Sequence, residues 1–125
     1  MFFIILPTGT PCYLSPEVCQ DLPYSSKADI WALGCLLYEM CTLSYPFDAS
    51  NIVTLYYKIV KCDYKEISTD YSIEVRDVIC GMLKKSHEER PTISGVMNNP
   101  YIQIHLQVGW VSRTGFPDRF CLVDH

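Results

Sequence analysis

The 125-residue sequence lacks several features, and each absence narrows what the chain can do. It has no run of Lys or Arg and a net charge of −4. No basic face for a phosphate backbone follows from that balance, so nucleic acid is excluded as a partner. It has no Cys-x-x-Cys pair, and His87, His105 and His125 stand far from any pair of cysteines. No metal site is expected, because neither zinc-ligand spacing occurs. The apolar segment over residues 30–41 is shorter than the ~20 residues that cross a bilayer, so no membrane partner is expected. Met1-Phe2-Phe3-Ile4-Ile5-Leu6 is apolar but has no basic leader, and it ends at Pro7 without a small-residue cleavage site. It reads as a core strand or a non-native translated start rather than a secretory signal. There is no internal repeat and no low-complexity tract.

What is present is ordinary for a globular domain, with 49% hydrophobic and 19% charged residues. The length suits one domain that buries about two-thirds of the surface its unfolded chain exposes. The cysteine count is odd, at 7. Cys35, Cys41 and Cys80 fall within apolar helical patterns, where cysteine acts as a small buried hydrophobe. A reducing, intracellular compartment is expected.

The pattern predicts a mainly α fold organised around one central helix over residues 27–42. Ser26 followed by Asp29 has the form of a capping box. From Ile30 to Cys41 only Glu39 is charged, and apolar residues surround the helix, which predicts burial on all sides. Before it, residues 7–25 are punctuated by Pro7, Gly9, Pro11, Pro16 and Pro23 and read as loop. Within that loop, Ser15 and Pro16 are able to start a short helix. After it, Ser44-Tyr45-Pro46-Phe47-Asp48 is a break. Ser50 or Asn51 then caps a helix with Ile52, Leu55, Tyr56, Ile59 and Val60 on one face. A third amphipathic helix covers residues 72–84 with Val75, Val78, Ile79, Met82 and Leu83 inward, and Gly81 predicts close helix packing. Residues 86–91 read as polar loop. Thr92 caps a short fourth helix with Ile93, Val96 and Met97 inward, stopped by Asn98-Asn99-Pro100. From Gln103 the alternation of Leu106, Val108 and Trp110 with polar positions hints at a strand, and Thr114 to Asp118 reads as a turn.

Three segments carry a resemblance. Gly9-Thr10-Pro11-Cys12-Tyr13-Leu14-Ser15-Pro16-Glu17, then Tyr24 to Cys35, then Glu89-Arg90-Pro91-Thr92 resemble the C-terminal lobe of a protein kinase. The wording is most similar to the NIMA-related (NEK) Ser/Thr kinases. The resemblance covers residues 8–102, with 1–7 as a non-family segment and 103–125 as an unassigned tail. It implies that Ser15-Pro16-Glu17 closes the activation segment and that Glu17 pairs with Arg90. It implies that Thr10, beside Gly9, lies in the substrate-positioning loop, and that Pro11 to Leu14, including Tyr13, shape the pocket after the phospho-acceptor. Asp29 would accept backbone N–H groups from the catalytic loop. Trp31 and Gly34 belong to the central helix, and residues 51–60 to the helix that docks substrates and partners. Protein substrates or regulatory proteins are the implied partners. The implied location is cytoplasmic, with the centrosome, cilium or nucleus as family addresses.

The sequence departs from that family in one respect. It holds no Gly-rich loop, no H-R-D and no D-F-G, the parts that position ATP and Mg²⁺. No catalytic residue is therefore assigned, and no cofactor is expected for this chain; ATP and Mg²⁺ are implied for a full-length parent. The chain reads as a partial, truncated Ser/Thr kinase domain, or as a kinase-derived, non-catalytic module that binds substrates or partners. Without the catalytic loop, part of residues 30–41 should lie uncovered, each large side chain forfeiting ~1.5–3 kcal/mol of burial. Marginal stability or dependence on a partner follows from that loss.

Overall fold

The computed structural model describes residues 11–114. They form six α-helices and two short 3-10 turns, with no strand among the described residues. The helices are α1 (Pro16–Cys19), α2 (Lys27–Thr42), α3 (Ile52–Lys61), α4 (Ile73–Met82), α5 (Ile93–Met97) and α6 (Pro100–Thr114). The 3-10 turns are Pro11–Tyr13, ahead of α1, and His87–Glu89, inside the polar loop between α4 and α5. The chain divides into two compact units, residues 1–93 and 94–125. The N-terminal apolar run, Gly9, Thr10 and the turn residues after Thr114 lie outside the described residues.

In the first unit α2 is the centre. It packs against α4 and against both 3-10 turns, while α1 packs against α3. Its buried face is Ala28, Ile30, Trp31, Gly34, Cys35 and Tyr38. The core adds Cys12, Phe47, Leu55, Ile59, Ile67, Ile79 and Leu83. Trp31 and Phe47 stack at 5.4 Å between ring centroids, and Tyr64 meets Phe47 and Tyr38 edge-on at 5.6 and 5.8 Å. The connection after α3 is tied to α2 through Tyr38 Oη, which donates to the Lys65 carbonyl at 2.7 Å.

Local chemistry explains most helix ends. Asn51 caps α3, its Oδ1 accepting the Thr54 N–H at 2.8 Å, and Ser72 caps α4 through the Val75 N–H. α2 and α3 end at the left-handed residues Leu43 and Cys62. There the Leu43 N–H reaches the Glu39 carbonyl, and the Cys62 N–H reaches the Ile59 carbonyl. The capping box at Ser26 does not form. Ser26 is itself helical and makes no side-chain cap bond, and Asp29 instead accepts the Tyr24 hydroxyl at 2.9 Å. Ser15 occupies the cap position of α1 in extended geometry, also without a side-chain cap bond, followed by Pro16 in the first turn.

Several other expectations are corrected. α2 is not buried all round: Leu36 and Met40 are 46% and 73% exposed, because α4 and the turns cover one side only. Gly81 does not mark the close approach, since a Cβ there would meet nothing within 4 Å. Gly34 does: a Cβ there would lie 2.8 Å from Met82 Cβ and 3.1 Å from Leu83 Cδ2. Cys80 is exposed and Cys41 half-buried, leaving only Cys35 of those three as a buried hydrophobe. α4 ends at Met82, so Lys84 and Lys85 lie beyond it.

The second unit holds the clearest reversal. Residues 103–110 are helical, not a strand, as part of α6. Asn99 and Pro100 stop α5 but also start α6, because Asn99 Oδ1 accepts the N–H groups of Tyr101 and Ile102. Proline suits a first helical turn, and three alternating apolar positions are too few to outweigh a satisfied cap. In α5 only Val96 is buried, while Ile93 and Met97 are exposed.

Candidate functional site: the anchor of the Ser15-Pro16-Glu17 segment

Arg90 is a fully charged side chain that is only 2% exposed. A guanidinium stays protonated, so its burial requires acceptors for its donors. The structure supplies them from three separate parts of the chain. Nη1 and Nη2 make a bidentate ion pair with Glu17 Oε1 and Oε2 at 2.7 and 2.8 Å. Nη1 also donates to the Lys27 carbonyl at 3.0 Å, Nε to the Lys84 carbonyl at 2.8 Å and Nη2 to the Lys85 carbonyl at 3.2 Å. The guanidinium carbon sits 5.0 Å from the Trp31 ring centroid, a cation–π arrangement. Lys27 closes the loop by donating its ammonium to the Arg90 carbonyl.

Position in the chain explains the geometry. Glu17 is in the first turn of α1, where the helix dipole favours a carboxylate. Lys27 opens α2, so its carbonyl lies beside Trp31, one turn on. Lys84 and Lys85 follow the C-terminus of α4, where carbonyls lack intrahelical partners. Arg90 thus joins α1, the start of α2 and the end of α4. Glu17 is 4% exposed. Burial opposes its charge, but the hydrogen bonds and the charge of Arg90 prevail and hold its carboxyl below the ordinary value.

The rest of the segment rests on α2. Tyr13 donates its hydroxyl to the Glu39 carboxylate and sets its ring edge-on to Tyr45 at 5.9 Å. That bond to a carboxylate, with burial added, pushes the Tyr13 hydroxyl up to about 12. Pro11 begins the 3-10 turn and Cys12 is buried in the core. Of the residues singled out from sequence, Pro16, Glu17, Trp31 and Arg90 come together. Gly34 lies one turn beyond Trp31 against α4, and Pro11 and Tyr13 lie on the side of α2 that carries Glu39. Asp29 is exposed and joined to Tyr24, and Gly9 and Thr10 lie outside the described residues. Sequence reasoning missed Lys27, Glu39 and the two lysine carbonyls. Glu39 was open to discovery as the only charge in an otherwise apolar helix segment; backbone carbonyls leave no sequence signal.

Among the described residues no group of three or more His, Cys, Asp and Glu is placed to hold a metal ion. A cavity of about 850 Å³ is walled by Tyr38, Tyr45, Lys65, Ile67 and Tyr71, with no glycine-rich backbone to cradle a phosphate. No helix of the described residues is long and apolar enough to cross a membrane.

A central helix, with a short Pro-Glu helix locked by a buried Glu–Arg pair to the loop before the last helices, is the arrangement of the helical lobe of a protein kinase. The protein kinase domain model matches residues 6–102, and the chain belongs to that family. Within it, the chain is similar to the Nek serine/threonine-protein kinases. It is 43% identical over 95 residues to human Nek5, covering 76% of this chain and 13% of that kinase. It is 38% identical over 114 residues to mouse Nek1, covering 91% of this chain and 9% of that kinase. It is 41% identical over 106 residues to zebrafish (Danio rerio) Nek8, covering 81% of this chain and 15% of that kinase. The chain thus spans between 9% and 15% of the length of these relatives.

Proposed function

We propose that this chain is the substrate-side portion of a NEK-like Ser/Thr protein kinase whose full-length form transfers the γ-phosphate of ATP to Ser or Thr of proteins. The observation that carries the reading is the bidentate Glu17–Arg90 pair, which ties the end of the segment beginning at Gly9 to the helical core. In this reading residues 8–102 are the kinase portion, with 1–7 and 103–125 outside it. Gly9, Thr10, Pro11 and Tyr13 position the phospho-acceptor, Pro16 and Glu17 anchor that segment, and Asp29, Trp31, Gly34 and Arg90 support it. ATP and Mg²⁺ belong to the full-length protein and are held by residues other than these. The protein acts in the cytoplasm, with the centrosome, cilium and nucleus as family addresses. It acts on protein substrates and answers to regulatory proteins, with no role for nucleic acid or membrane.

A second reading, a non-catalytic module that binds substrates or partners, draws support from the outer face of α3. Val53 and Tyr57 there are 75% and 64% exposed, more than a solvent-facing helix needs. One experiment separates the two. The 5′ end of the message and the intact mass of the endogenous protein are determined, and that protein is assayed for ATP-dependent phosphorylation of Ser and Thr. Phosphoryl transfer by a larger product carrying a Gly-rich loop, H-R-D and D-F-G upholds the kinase reading. An endogenous product of 125 residues that transfers no phosphate overturns it in favour of the module.

A further inference from the structure

A cavity of about 620 Å³ lies among the connection after α3, the helix α4 and the residues that follow it. Neither the anchor of the Ser15-Pro16-Glu17 segment nor the proposed kinase role uses it. Three cations line it: Arg76 from α4, and Lys84 and Lys85 beyond its end. None of the three makes an ion pair with a described carboxylate. Arg76 Nε is buried and has no hydrogen-bond partner. A guanidinium stays charged and can only donate, so a buried N–H of that group destabilises the fold until an acceptor reaches it.

The walls are held from behind. The carbonyls of Lys84 and Lys85 accept from the buried Arg90 at 2.8 and 3.2 Å. Those bonds fix the backbone of both lysines and leave their long side chains to turn toward a ligand. On α4, Cys80 lies one turn beyond Arg76, and its Sγ accepts the Tyr64 hydroxyl at 3.6 Å. Residues one turn apart share a helix face, so that bond holds the connection after α3 across the face that carries Arg76.

We propose that this cavity is a binding site for a small oxyanion, a carboxylate or phosphoryl group, which Arg76 grips and Lys84 and Lys85 close upon. The oxygens of such a group are the acceptors that Arg76 Nε lacks, and a planar guanidinium matches two of them at once. The lysines add charge without fixed geometry. The same walls carry Glu66, Asp77 and Glu89. They balance the three cations, so the cavity does not draw anions from a distance, and a group of low charge is favoured over a polyphosphate. Asp77 is exposed and directly follows Arg76 on α4, and successive helical residues do not face each other.

The test methylates the lysines of the full 125-residue chain with formaldehyde and cyanoborohydride at micromolar protein concentration. Acetate or inorganic phosphate is titrated in, with ionic strength held constant by sodium chloride, and each lysine is read by mass spectrometry after digestion. Either oxyanion should protect Lys84 and Lys85 saturably, while Lys58 and Lys61, outside the cavity, keep their reactivity. Protection by phosphate at lower concentration than acetate assigns a phosphoryl ligand, and the reverse order a carboxylate. Arg76→Gln should weaken binding about ten-fold, the worth of one charged hydrogen bond, and Arg76→Lys should recover only part. Glu66→Gln should tighten binding about three-fold, the effect of removing one like charge at ~6 Å in water. A loosened fold does not produce a gain of that kind. Lys84 and Lys85 reacting alike in sodium chloride and in both oxyanions would show that water alone serves Arg76 and would overturn the proposal. So would protection that both Arg76 substitutions leave unchanged.

Discussion

Arg90 is where one residue matters most to the first unit. Its guanidinium is buried among Glu17, the Trp31 face and three backbone carbonyls. Arg90→Ala strands a buried carboxylate and those carbonyls, and should cost about 3–5 kcal/mol in denaturant unfolding. Arg90→Lys should recover only part, because an ammonium cannot make the bidentate fork. The same pair predicts a pH dependence. The folded carboxyl of Glu17 lies below its ordinary 4.5. Its contribution is therefore complete above that value and is lost as pH falls through the folded one. Unfolding measured at successive pH values should show this acid loss, and Glu17→Gln should remove it. A Glu17→Gln curve parallel to the wild-type one would show that other carboxylates carry the acid sensitivity.

Two contrasts test how the elements are built. Gly34 and Gly81 look alike in sequence, each inside a helix, but only Gly34 faces a neighbour at 2.8 Å. Gly34→Ala should force α2 from α4 and cost about 1–3 kcal/mol, the range for overpacking. Gly81→Ala meets open space and should stabilise α4 by about 0.5–1 kcal/mol through helix propensity. Thermal melts of the two variants should move in opposite directions. The second contrast concerns caps. Asn51→Ala removes a bond to the Thr54 N–H and should cost about 1 kcal/mol, whereas Ser26→Ala removes no cap bond and should be close to neutral. Equal losses at Asn51 and Ser26 would contradict the cap geometry.

At the scale of the first unit, one side of α2 is exposed among the described residues. Leu36, Met40 and, at its C-cap, Leu43 are 46%, 73% and 89% exposed at successive turns. A contiguous stripe of that kind drives association in water. The 125-residue chain should therefore self-associate as its concentration rises. Leu36→Glu combined with Met40→Lys should return it to a monomer without lowering its melting temperature. Analytical ultracentrifugation checks the first statement and a thermal melt the second. A wild-type chain that stays monomeric, with a sharp and high melting transition, would show that the stripe is harmless.

The local elements were legible from residue chemistry. The apolar period of α3 and α4, the caps at Asn51 and Ser72 and the breaks at proline depend on neighbours within one or two turns, which a linear sequence displays. The Glu17–Arg90 pair was legible for a different reason: its residues stand in the first and last of three motifs whose order and spacing resemble a known lobe. What depended on which of two competing local bonds wins, or on which face a neighbour covers, was misread. The capping box at Ser26 lost to a competing bond between Tyr24 and Asp29. The strand pattern after Gln103 lost to a helix start at Asn99. Burial all round α2 was assumed from composition, although composition cannot say which side is covered. From the sequence alone came the helices before Pro100, the inward faces of α3 and α4 and the identity of the buried ion pair, because period, caps and charge are local or motif-borne. Only the tertiary structure decided which glycine is in contact, which side of α2 lies bare and which charged residues line one cavity, because those follow from how the helices pack together.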